Sequence, residues 1–117
     1  MPDCLFCDMA QGRMQVDKLY EDDLVFAIRD IHPRAPVHFM VIPNEHIPTA
    51  KEIEERHGPL LARMFTTAVR LARDEGIEER GYRLAFNEGE HAGMTIFHLH
   101  LHVLGGRPLG PEASHGS

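Results

Sequence analysis

The chain has no tryptophan, a shortage of basic side chains and only two cysteines, Cys4 and Cys7, in 117 residues. Two cysteines cannot build a disulfide framework. In a reducing compartment such a pair points instead to metal or redox chemistry. No apolar run approaches the roughly 20 residues of a membrane-spanning helix. The opening "MPDCLFC" has neither the basic region nor the apolar core of a secretory signal, so the expected location is the cytoplasm. Twelve Lys and Arg against eighteen Asp and Glu leave a net charge of −6, which argues against a nucleic-acid polymer as partner. A small anion is a different matter, because backbone N–H groups and histidines hold one without net basicity. Internal repeats and low-complexity runs are also missing. A chain this long makes one domain with one core.

What the sequence does have is a set of recognisable elements. "CLFCDMAQG" reads as a short N-terminal helix ending near Gly12, and "DKLYEDD" as a brief strand entering an acidic turn. "LVFAIRDI" and "VHFMVIPNEH" are rich in branched and aromatic residues and read as antiparallel strands joined by the proline loop "HPRAP". "GPLLARMFTTAVRLARDEG" is the one long helix, with Pro59 suited to its first turn and Gly76 to its stop. Leu60, Leu61, Met64, Phe65, Ala68, Val69 and Ala72 recur at helical spacing and predict one buried face. "GYRLAFNEG" and "TIFHLHLHVLGG" read as two further strands, joined by a polar loop. The pattern is an α+β domain built on an antiparallel sheet over residues 1–107, with residues 108–117 as a mobile tail.

Nine histidines are present, and three of them alternate with leucines in "FHLHLHVLGG". On a strand, His98, His100 and His102 share one face while Leu99, Leu101 and Val103 share the other. The leucine face is a natural core, so the histidine face is expected to look outward, toward a cleft or solvent. The first and last imidazoles would lie roughly 13 Å apart, too far to share one metal ion, although an adjacent pair could. Three readings stand: a metal site, polar filling, and a reaction centre. Alternation this strict disfavours filling. A neutral imidazole flanked by two others is a competent nucleophile, and phosphorus with its several oxygens suits it better than carbon. "NEGEHAGMT", just upstream, offers an Asn, glycines and a Thr to wrap a phosphate. His32, His38, His57, His91 and His115 read as surface or loop residues.

Cys4 and Cys7 have the spacing of half a zinc site, a weak signal by itself. A redox disulfide and a pair of free buried cysteines compete with it.

The motif "HLHLHVL", with "DCLFC", "FAIRDIHPRAPVHFMVIPNEHI", "GYRLAFNEG" and the closing "LGGR", resembles the histidine-triad superfamily in its Hint-like, nucleotide-binding branch. The likeness runs from about Asp3 to Arg107. It implies a five-stranded antiparallel sheet with one long and one short helix, extended across a homodimer. It also implies hydrolysis of purine nucleoside 5′-phosphoramidates through a nucleotidyl-histidine intermediate. By position, His100 would be the nucleophile and His102 would contact the phosphate and help protonate the leaving amine. Asn87 and Thr95 would bond near the phosphate, and Asp30 would hold the ribose hydroxyls. Leu5, Phe6, Met9, Ile28 and Ile31 would line the base pocket, although core packing explains such residues equally well. Cys4, Cys7, His46 and His98 would bind a structural zinc ion whose four-ligand shell leaves no position open for chemistry.

Two departures stand out. Met94 occupies a position where many relatives carry Gln, and the tail lacks the Trp that some place near a neighbouring active site. Rival functions are a metal-dependent hydrolase using two triad histidines, a dinucleoside polyphosphate hydrolase, and a nucleotide-binding module. The second belongs to a branch that tends to carry Gln at the place of Asn87.

Overall fold

The computed structural model describes residues 4–111. Its elements are α1 (Leu5–Ala10), β1 (Tyr20–Glu21), β2 (Val25–Arg29), β3 (Val37–Pro43), α2 (Gly58–Asp74), β4 (Tyr82–Ala85) and β5 (Leu101–Gly105). The strands form one antiparallel sheet in the order β1-β2-β3-β5-β4. Both faces of this sheet are covered, and that arrangement positions the site.

On one face α2 packs across Val25 and Ala27 of β2, Phe39 and Val41 of β3, and Leu101 and Val103 of β5. Alternation along each strand sends these side chains to the same side. The helix contributes Leu60, Met64, Ala68, Leu71 and Ala72, all buried. Truncating a fully buried side chain such as Met64 to Ala costs about 2–5 kcal/mol. The helix has Pro59 in its first turn and ends just before Gly76, whose φ of 79° suits glycine. Its apolar stripe is wider than its buried face. Phe65 and Val69, expected in the core, remain exposed, and Phe65 meets Phe86 edge-on at 6.1 Å beside the edge strand β4.

On the opposite face Phe26, Ile28, Met40 and Ile42 form a second core with Phe6, Cys7 and Met9 of α1. Six residues are too few for an independent helix, so α1 is held by this burial and by its Cys4 cap, whose sulfur accepts the Cys7 N–H. The turn between β1 and β2 is organised by Asp22. Its carboxylate accepts from the N–H groups of Leu24 (2.8 Å) and Val25 (2.9 Å), from the Tyr20 hydroxyl (2.6 Å), and from Arg63 of α2 (2.8 Å).

Three further expectations need correction. The histidine strand was expected across residues 95–106, yet its ladder covers only Leu101–Gly105. The pairing of β3 with β5 reaches Val41 opposite Leu101, and two residues further Pro43 has no N–H to contribute. The Pro43 carbonyl bonds the His98 ring instead, and Leu99 N–H donates to Ile47 across a loop. Side-chain alternation nevertheless persists, with Leu99 in the α2-side core. Second, the histidine face meets the expected cleft only in part. His100 and His102 line it, whereas His98 is fully buried on the sheet face that α1 covers. Third, His38 and His57 are buried rather than superficial, while His32 and His91 are exposed as expected. His115 and the tail beyond residue 111 lie outside the described residues. The described start of the tail is pinned where Arg83 donates to the Gly110 carbonyl (2.6 Å).

Candidate active site and metal centre

A cavity of about 390 Å³ opens between α1, the end of β2 and the segment leading into β5. Its lining brings together every residue named above for catalysis and nucleotide binding: Asn87, Thr95, His100 and His102 with Leu5, Phe6, Met9, Ile28, Asp30 and Ile31. Phe6, Met9 and Ile28 are core residues as well as wall, whereas Ile31 is 86% exposed and forms the rim. Phe6 stands edge-on to the His100 ring, with centroids 5.2 Å apart. Met94 also lines the cavity, and its sulfur accepts the Gly89 N–H at 3.4 Å. The position where relatives carry Gln therefore braces the 89–93 loop and offers no polar group to a ligand.

Hydrogen bonds to groups of fixed polarity define the ring tautomers. A carbonyl can only accept, so His100 must donate its Nδ1 proton to the His98 carbonyl at 2.7 Å. The lone pair of neutral His100 is then on Nε2, the nitrogen left for the cavity. The Arg34 N–H can only donate, and it donates to His38 Nδ1 at 3.2 Å. His38 accordingly carries its proton on Nε2, which lies 3.0 Å from His102 Nδ1 and 3.4 Å from the Asp30 carboxylate. His102 accepts at Nδ1 and keeps a proton on Nε2. The two neighbouring rings are thus opposite in kind, one offering a lone pair and the other an N–H, with centroids 5.0 Å apart.

Electrostatics keep these rings neutral. Burial pulls His102 down to about 4, His100 and His38 add to the effect, and Asp30 opposes it. Burial likewise lowers His100 and His38, against the attraction of Asp30. Asp30 is oriented by its own loop through the His32 N–H (2.8 Å). It serves the His38–His102 pair as well as facing the cavity.

The His98 ring takes no part in this arrangement, although the His98 carbonyl orients His100. The ring Nε2–H donates to the Pro43 carbonyl at 2.8 Å, which aims the Nδ1 lone pair at the cysteines. Cys4, Cys7, His46 and His98 present four donor atoms, all within 4.8 Å of one another. Sulfur–nitrogen separations are 3.2, 3.3, 3.4 and 3.6 Å, and the two Nδ1 atoms are 3.1 Å apart. A tetrahedral ion with ordinary zinc–ligand bonds requires edges of about 3.5 Å between S and N and about 3.3 Å between N and N. The residues fit such an ion. Burial pushes the Cys7 thiol up to about 11, with Cys4 adding to the rise against the weaker attraction of Arg13, so holding thiolate there needs a stronger positive charge. A divalent cation is the group that supplies it. Asp30, His38 and His102 also come within 4.8 Å of one another, but the bonds just described already engage their facing atoms. That geometry, with His98 turned to the cysteines, disfavours a catalytic metal on the triad.

His38 is the residue of this cluster that sequence reasoning missed. Alternation in "VHFMVIP" puts it on the face of Met40 and Ile42, and Met40 pairs directly with His102. That register was the available signal.

Comparisons with known proteins identify the family of this fold. Residues 11–109 match the HIT domain family model, and the chain belongs to the HIT, or histidine-triad, family. It is 46% identical over 111 residues to the purine nucleoside phosphoramidase of Escherichia coli strain K12, spanning 95% of this chain and 93% of that protein. Among solved structures it resembles a HIT family hydrolase from Legionella pneumophila Philadelphia 1, with a TM-score of 0.92 and 41% identity over 96% of this chain and 100% of that one. It also resembles a Zn-bound histidine triad family protein from Mycobacterium smegmatis, with a TM-score of 0.76 and 30% identity over 97% and 81% of the two chains. No helix among the described residues is long and apolar enough to cross a membrane.

Proposed function

We propose that this protein hydrolyses purine nucleoside 5′-phosphoramidates to the nucleoside monophosphate and an amine. One observation carries the reading: His100 has its Nδ1 proton committed to a backbone carbonyl, which leaves a neutral Nε2 for the cavity it lines. In the first step Nε2 attacks the α-phosphorus. A phosphorus–nitrogen bond to the enzyme forms as the bond to the amine breaks. The departing nitrogen takes a proton delivered from solvent beside His102, whose Nε2–H stabilises the phosphate. Water then attacks the same phosphorus, its surplus proton returns to solvent, and His100 is freed with the nucleoside monophosphate. One hard displacement becomes two easier ones. Asn87 and Thr95 hold the phosphate oxygens, an effect worth several kcal/mol when the donors are preorganised. The ribose hydroxyls bond Asp30, and the base lies against Leu5, Phe6, Met9, Ile28 and Ile31.

Zinc is the ion of the Cys4–Cys7–His46–His98 centre. The metal neutralises two thiolates and ties α1 to the β5 segment; it leaves no coordination position open. The protein works as a homodimer. Among the described residues β4 is an outer strand, and the exposed Phe65–Phe86 pair beside it supports pairing with a second copy.

The test is turnover of an adenosine 5′-phosphoramidate beside a diadenosine polyphosphate. Preferential release of adenosine monophosphate from the phosphoramidate is expected. Hydrolysis of the polyphosphate alone would move the protein to the other branch of the superfamily.

A further inference from the structure

The loop over residues 30–36, between β2 and β3, carries a charge that the proposed chemistry leaves unused. Two arginines line the cavity, Arg29 and Arg34. Arg29 is neutralised by a two-pronged ion pair with Glu75, at 2.7 and 3.0 Å. Arg34 is exposed, and among the described residues no hydrogen bond or ion pair holds its guanidinium. Its backbone, by contrast, is fixed on both sides. The N–H donates to His38 Nδ1 at 3.2 Å, and the carbonyl accepts from Arg107 at 2.7 Å. Pro33 and Pro36 restrict the loop further. Pro36 packs onto Gly106, where any Cβ would come within 2.9 Å of the proline ring and where φ is 100°. A rigid backbone thus presents this cation to the cavity, so the loop itself need not be ordered on binding.

The position of that charge is informative. Arg34 N–H bonds His38 Nδ1 at 3.2 Å, and His38 Nε2 lies 3.0 Å from His102 Nδ1. Arg34 therefore lines the cavity on the side of the His38–His102 pair. The proposed mechanism assigns it no partner there, because Asn87, Thr95 and His102 hold the scissile phosphate.

We infer that Arg34 binds a second anionic group of the substrate, a carboxylate or phosphate carried in addition to the scissile phosphate. The inference rests on the phosphoramidase reading above. A planar guanidinium takes either anion in a two-pronged pair. In a chain of net charge −6, an unpaired arginine also offsets the repulsion that a doubly anionic substrate meets. Two sources would supply the group: an amino acid as the leaving amine, or a phosphate on the ribose 3′ position.

The experiment measures kcat/KM for three adenosine 5′-phosphoramidates, those of glycine, of glycinamide, and of glycinamide with a ribose 3′-phosphate. Glycine and glycinamide differ by little more than the carboxylate charge. Wild type, Arg34→Gln and Arg34→Lys are compared. At least one acidic substrate should outperform the neutral one. That ratio should fall about fivefold in Arg34→Gln, mainly through KM, and be largely kept in Arg34→Lys, which is the scale of an exposed ion pair. The substrate whose ratio falls identifies the source of the anion. If Arg34→Gln slows all three substrates equally, Arg34 acts only through His102 and the inference is overturned. It is overturned as well if neither ratio moves. A wild type that hydrolyses no phosphoramidate overturns the underlying reading instead, which is a distinct result.

Discussion

His100 donates its Nδ1 proton to the carbonyl oxygen of His98, 2.7 Å away and two residues earlier in the chain. The proposed nucleophile is therefore oriented by its own backbone, in a segment that no neighbouring strand pairs. What fixes that segment is His98, held through Nε2 by Pro43 and through Nδ1 by the cysteine centre. The proposed zinc ion is thus structural while lying one residue pair from the chemistry.

One zinc ion per chain is expected by elemental analysis, and chelation should lower the melting temperature by several degrees or more. Cys4→Ser should do the same, because it removes a metal ligand while a serine hydroxyl can still cap α1. A protein free of metal as isolated, or a Cys4→Ser variant with unchanged melting, would refute the centre.

His38 is a positioning residue for His102, and its loss should act through the His102 tautomer. His38→Ala is expected to lower kcat about tenfold or more. His38→Gln should recover part of that loss, because an amide can accept from Arg34 N–H and donate to His102. The pH profile should also move in His38→Ala, since His38 contributes to keeping His102 low. Equal kcat values and superimposable profiles for all three proteins would remove His38 from the site.

Much of this architecture was legible in the sequence because it depends on local periodicity. The α2 stripe, the Pro59 and Gly76 boundaries and the alternation through Leu99, Leu101 and Val103 are properties of single segments. Failures arose where a second segment decides the outcome. The ladder stops short of His98 because Pro43, more than fifty residues away in the chain, cannot donate. His98 is shut off from the cleft because α1 packs over that part of the face. His38 looked superficial because only the β3–β5 register brings it to His102. Residues such as Phe6 and Ile28 were ambiguous in sequence for a physical reason: they are at once core and cavity wall.

Asp22 should govern part of the acid stability. Burial alone would raise its carboxyl, but the Tyr20 hydroxyl, the Val25 and Leu24 N–H groups and Arg63 outweigh it and hold it at about 2, against 3.8 for the free group. Between those values the unfolded chain binds the additional proton. The stabilisation is complete above 3.8 and is lost as the pH falls through 2. Asp22→Asn should cost about 2 kcal/mol at neutral pH and flatten the acid limb. Urea unfolding at a series of pH values measures both, and identical slopes for the two proteins would refute the assignment.

The exposed Phe65–Phe86 pair should lie in the contact between two copies. Light scattering at micromolar concentration is expected to report a dimer for the wild type and a shift toward monomer for Phe65→Glu. A monomeric wild type would refute this part of the account.

The most direct test of the central claim is mass spectrometry of enzyme quenched during turnover of an adenosine 5′-phosphoramidate. The account predicts an adenylyl group on His100, absent from His100→Ala, and a His100→Ala variant that still binds adenosine monophosphate but does not turn over. An adduct on another residue, or near-wild-type hydrolysis by His100→Ala, would contradict it.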